Sequence, residues 1–139
     1  MKISEKNKKI VVDEFKYIVK KMKQTDSNRE KLYYFSGSYA VVSRVLNLEF
    51  DPCLVFIHNV LQTAHGTIVQ TLQNIQAGQE RVITLPDILF ERLTKELNQL
   101  GVAIEKDEDF YPALQGISNV AYFATGNGFY LFQKGLLKI

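Results

Sequence analysis

Val11, Phe15, Ile18 and Met22 recur at the three-four spacing of one helix face and predict a first amphipathic helix over roughly residues 4–23. "QTDSNRE" interrupts that pattern, and Ser27 with Glu30 forms a capping box that opens a second helix. Its stripe is Leu32, Phe35, Tyr39, Val42 and Leu46, ending near residue 47. Asp51 followed by Pro52 is the strongest helix start in the chain. The carboxylate accepts from free backbone N–H groups, and proline needs no N–H at the first helical position. The third helix then runs through Leu54, Ile57, Leu61, Ala64, Ile68, Leu72 and Ile75 to about Gly78.

Residues 79–85, "QERVITL", carry the weakest helical pattern and also suit an extended segment. Thr84 and Asp87 around Pro86 predict another capped start. Leu89, Leu93, Leu97, Leu100 and Ile104 carry a fourth helix across Gly101 to about residue 105. An acidic loop, "EKDEDFYP", leads to a fifth helix with register Leu114, Ile117, Ala121 and Ala124. Short links between such helices favour antiparallel neighbours. The expected fold is therefore a single all-α domain over residues 1–139, an antiparallel up-down bundle of about five helices.

The segment 120–135 is read two ways. "VAYFA" and "FYLFQ" around Asn127-Gly128 would suit a β-hairpin, but a lone two-stranded hairpin is marginal in water and would need "RVITL" as a third strand. Helix there must absorb about 1 kcal/mol for each glycine relative to alanine. Yet the helical register passes through Gly128 to Leu131 without slipping, so the expectation is helix with a break allowed at 126–128.

At 139 residues the chain is long enough to bury a core without disulfide or metal staples. Its 46% hydrophobic and 23% charged residues exclude wholesale disorder. The single cysteine, Cys53, forms no internal disulfide, which makes the cytoplasm the expected compartment. The N-terminal region lacks a signal-type apolar core, and no apolar run approaches transmembrane length, so no membrane role is expected. The net charge of +2 says little, but residues 1–23 hold eight lysines against Glu5, Asp13 and Glu14. Lys9, Lys16 and Lys20 fall on the outer face of the first helix, where they could contact an acidic protein or nucleic-acid phosphates. That helix has no arginine for base edges, which weakens the nucleic-acid reading.

The most unusual feature is an absence of charge from Pro52 to Gln79 and again from Ala113 to Gln133. A surface helix ordinarily carries charges on its outer face. The third helix could be central and covered by its own chain, and these helices could also supply a contact between copies, where charge is depleted; a ligand cavity lined by the polar groups is the remaining reading. The expected assembly is a homo-oligomer, with a dimer favoured.

Candidate chemistry is sparse. His58 and His65 lie two turns apart with Gln62 between them, a spacing of about 10 Å that is too wide for one metal ion. With Tyr33 and Tyr39 they are the candidate ligand-binding set of a small-molecule-binding or catalytic bundle with a pocket near His58 and His65, the alternative to a pure interaction protein. Cys53 sits in a helix's first turn, where the dipole favours thiolate, but no cysteine signature surrounds it. "TGNG" lacks the lysine and third glycine of phosphate-binding loops. No metal or cofactor is expected. Ala121, Ala124, Gly126 and Gly128 form a small-residue line suited to close packing. Together these features favour a non-enzymatic helical protein that self-associates through its uncharged helices.

Overall fold

The computed structural model describes residues 1–80 and 84–136, and all of their regular structure is helical. The helices are α1 (Glu5–Gln24), α2 (Asn28–Leu46), α3 (Pro52–Gln76), α4 (Asp87–Glu105), α5 (Tyr111–Ala124) and α6 (Gly126–Gln133). Of the segment "RVITL", residues 81–83 lie outside the described residues. The expected stripes become the core: Val11, Phe15, Ile18 and Met22 of α1 and Leu89, Leu93, Leu97, Leu100 and Ile104 of α4 are all buried. In α3 the stripe holds through Ile68, after which Thr71 takes the buried position and Leu72 and Ile75 are only partly covered.

The caps explain where the helices begin. Asp51 accepts from the backbone N–H groups of Cys53 at 2.8 Å and Leu54 at 3.3 Å. Ser27 accepts from Glu30 N–H at 3.2 Å, while the Glu30 carboxylate takes the Thr25 hydroxyl rather than closing the box on Ser27. At α4 the capping position is Pro86, with no side-chain cap, and Asp87 accepts from the Asn28 amide of α2 instead.

Packing order departs from chain order. α1 lies between α2 and α4, α2 packs on α3, and α5 joins α3 to α4. The result is a closed ring, α1-α2-α3-α5-α4. Helix directions follow from contacts between ends. The start of α2 meets the end of α3 through Arg29 and Gln76, and the start of α1 meets the end of α4 through Lys8 and Asp107 at 3.0 Å. The starts of α3 and α5 meet through the Phe56 and Tyr111 rings, 5.9 Å between centroids. The chain thus alternates up and down, as expected. A ring of five cannot alternate throughout, however, and α3 and α5 form its one parallel adjacent pair.

The C-terminal segment is helical, with its break at Thr125, one residue before the expected 126–128. Thr125 ends α5 in an extended conformation and also caps α6, accepting from Gly128 N–H at 3.1 Å. Gly128 is buried, and a Cβ there would stand 1.9 Å from the Tyr122 carbonyl oxygen, so only glycine permits the fold-back. Phe132 then packs edge-on against Phe123, 5.4 Å between centroids.

A candidate contact surface on α3 and α5

Which helix is central decides how the missing charges are read. Ten of the nineteen residues of α4 are buried, against six of twenty-five in α3. The enclosed helix is therefore α4, whose one buried charge, Glu96, is paired with Arg92 at 2.9 Å. The first explanation of the uncharged stretches, a covered third helix, does not hold. α3 packs on α2 and α5 and exposes Phe56, Asn59, Gln62, Thr63, Gly66 and Gln70 to solvent. On α5 the exposed positions include Tyr111, Gln115, Ser118, Asn119 and Tyr122. Among them is no charged residue.

The amides of this face are organised. Gln70 donates to Asn74 at 3.0 Å and Gln115 to Asn119 at 2.9 Å, each one turn along its helix. Such internal pairing lowers the desolvation cost of covering the face. Between the helices runs a groove of about 440 Å³, lined by Asn59, Val60, Thr63, Ala64, Thr67, Ser118, Ala121, Tyr122 and Thr125. A second hollow of about 460 Å³ continues past Thr63 and Thr67 to Gly66, Gln70, Gly126 and Glu80. Methyl and methylene groups make up most of the groove walls, with hydroxyls interspersed.

The small residues named from sequence divide by role. Ala121 lines the groove, Ala124 is fully buried, Gly126 borders the second hollow, and Gly128 serves the turn between α5 and α6.

The histidine set is brought together by Tyr39. Its ring meets His58 edge-on at 6.1 Å and His65 at 5.5 Å, and its hydroxyl lies 3.4 Å from His65 Nδ1. Phe35 stacks on the other side of His65. Burial holds the His65 imidazole below its ordinary value, opposed by a ring N–H bond to the Leu32 carbonyl. In the neutral tautomer with Nδ1 bare, the ring satisfies both Leu32 and Tyr39, an arrangement that ties α3 to α2. Gln62 is exposed beside it, and Tyr33 stands apart, 73% exposed and stacked edge-on with Tyr34. Among the described residues, no group of three or more His, Cys, Asp or Glu side chains could hold a metal ion. Cys53 is half-buried in the first turn of α3.

The lysine face is partly consumed within the chain. Lys9 pairs with Asp13, and Lys16 with Glu105, whose carboxylate raises the Lys16 ammonium above its ordinary value. Lys20 is exposed and makes no ion pair among the described residues. Lys8, not foreseen as special, is buried and reaches Asp107 at 3.0 Å. No described helix is long and apolar enough to cross a membrane.

Sequence reasoning missed the outward aromatics. Phe50, Phe56 and Tyr111 are 74%, 46% and 56% exposed. Phe56 and Tyr111 fall outside the apolar stripes of their helices, which was the signal available. Comparison of the chain with protein-family models, with curated proteins and with solved structures found no match.

Proposed function

We propose that this protein is a non-enzymatic helical interaction subunit that self-associates, as a dimer, through the uncharged face of α3 and α5. The observation that carries this reading is that α3 and α5 carry no charge on this face although α3 is not enclosed by its own fold. In a symmetric dimer a patch meets itself, so every charge near the axis faces its own like charge. A neutral face with paired amides, methyl-lined grooves and exposed aromatics avoids that repulsion and has the composition of an interface centre. The lone cysteine agrees with a reducing compartment, and the cytoplasm is the proposed location.

Sedimentation equilibrium over a wide concentration range tests the proposal. The expected result is a reversible monomer–dimer equilibrium that Thr63→Lys shifts strongly toward monomer and Lys20→Glu leaves alone. Monomer mass at every concentration would overturn it, as would insensitivity to Thr63→Lys with helicity retained.

A further inference from the structure

Gly66 has no internal reason to be glycine. It lies in the middle of α3 on the exposed side, and a Cβ there would meet nothing within 4 Å. Glycine at such a position weakens a helix relative to alanine. With Thr63, Thr67, Gln70 and Gly126 it lines the hollow of about 460 Å³, in which the Glu80 carboxylate lies over Gly126. At the other end of the same face, the Phe56 and Tyr111 rings pack together and project into solvent. Because α3 and α5 are parallel, the aromatic knob and the hollow occupy opposite ends of one continuous face.

We infer, resting on the self-association proposed above, that two copies pair end for end across a two-fold axis. The Phe56–Tyr111 knob of each copy then enters the Gly66–Gly126 hollow of the other. One rotation makes both contacts, which is what a self-complementary patch requires. On α3 the midpoint between Phe56 and Gly66 is Leu61, with Asn59 and Thr63 facing outward on either side of it. On α5, Ser118 lies beside Asn59 and Thr63 in the groove between the two helices. Asn59, Thr63 and Ser118 line one groove, the hollow of about 440 Å³, which places the axis there. The ten residues from Phe56 to Gly66 span about 15 Å of helix, which leaves room for the knob to clear the axis. The pairing also brings the Tyr111 hydroxyl, a donor, to the Glu80 carboxylate that lies over Gly126.

Two measurements test this register, both on the full chain. In a Cys53→Ser background, Ser118→Cys next to the axis is expected to form a disulfide with its own copy under mild oxidation. Lys20→Cys, on the α1 surface, is expected not to. Gly66→Phe fills the hollow and is expected to raise the dimer dissociation constant by about tenfold or more, the scale of central interface contacts. Gly66→Ala, which adds only a methyl to open space, is expected to change it by less than about threefold while raising the melting temperature. A wild-type chain that is monomeric throughout would remove the interface and the register together. A dimer that responds to Thr63→Lys, yet neither cross-links through Ser118→Cys nor weakens with Gly66→Phe, would overturn the register alone.

Discussion

Glu49 and Asp51 alternate with Leu48 and Phe50 in the connection from α2 to α3, and the alternation is inverted. The carboxylates turn toward the protein while both apolar side chains stand in solvent. Glu49 accepts from Ser4 N–H at 3.0 Å and from the Asn7 amide at 2.7 Å, which hold its carboxyl below the ordinary range. Burial alone would raise Asp51, but the N–H groups of Lys2, Leu54 and Cys53 outweigh it and lower that carboxyl too. Asp51→Ala removes the α3 cap and the anchor for Lys2, and is expected to cost about 1–2 kcal/mol in urea unfolding at pH 7. Asp51→Asn is expected to keep most of the cap. Both carboxyls are depressed in the folded state, so their contribution is complete above the ordinary carboxylate pKa of about 4. It is lost as pH falls through the folded values. Glu49→Gln is therefore expected to flatten stability against pH below that point, and an unchanged slope would show that Glu49 is not its source. The Asp51 cap was legible because it is local, spelled by Asp-Pro before an apolar stripe. The bonds from Lys2 and Ser4 span 49 and 45 residues, and nothing in adjacent positions encodes them.

At the scale of elements, the α5–α6 junction shows where periodicity misleads by a small margin. The apolar register through Gly128 and Leu131 read as one helix with a break at the glycines. The break sits instead at Thr125, whose hydroxyl donates to the Tyr122 carbonyl while its oxygen caps α6. Gly128 is required by backbone approach rather than by a partner helix. Gly128→Ala is expected to force a clash worth about 1–3 kcal/mol, more than an eight-residue helix packed on one neighbour can hold. Hydrogen exchange across residues 126–133 should then rise while the main unfolding transition of the bundle shifts little. The α2–α3 contact makes a second prediction. His65 is depressed by burial, so its neutral form contributes stability that is complete above the unfolded value of about 6.5 and lost as pH falls through the folded value. Urea midpoints measured from pH 7 to pH 5 should decline, and His65→Gln should remove most of that decline. A slope that persists in the variant would place its origin at another group. The histidine spacing was visible in the sequence, but Tyr39 as the residue joining both rings was not, since it comes from another helix.

For the whole molecule, the stripes announced five amphipathic helices but not their neighbours, because a stripe states that a face is buried without naming what buries it. Ring closure put α3 beside α5 rather than beside α4, its successor in the chain. The link between those two helices, ten residues from Ala77 to Pro86, is the longest in the chain. Its first residues, Ala77, Gly78 and Gln79, are exposed, and Gly78 turns the chain with φ of 74°. The α2–α3 link, half as long, is bonded to the N-terminal segment and caps α3. These differences set how each link tolerates lengthening. A six-residue Gly/Ser insert after Gln79 adds loop-closure entropy, about 0.6 kcal/mol per doubling of loop length, and loosens only the long Asn74–Glu80 bond of 3.4 Å. The same insert after Glu49 separates the Ser4 anchor from the Asp51 cap and should cost about 2 kcal/mol more, since a capping interaction and its attached contacts are at risk. Urea unfolding of the two insertion variants side by side measures the difference. Equal losses would mean that the ring depends on the α3–α4 link as much as on the bonded one, contrary to its packing order.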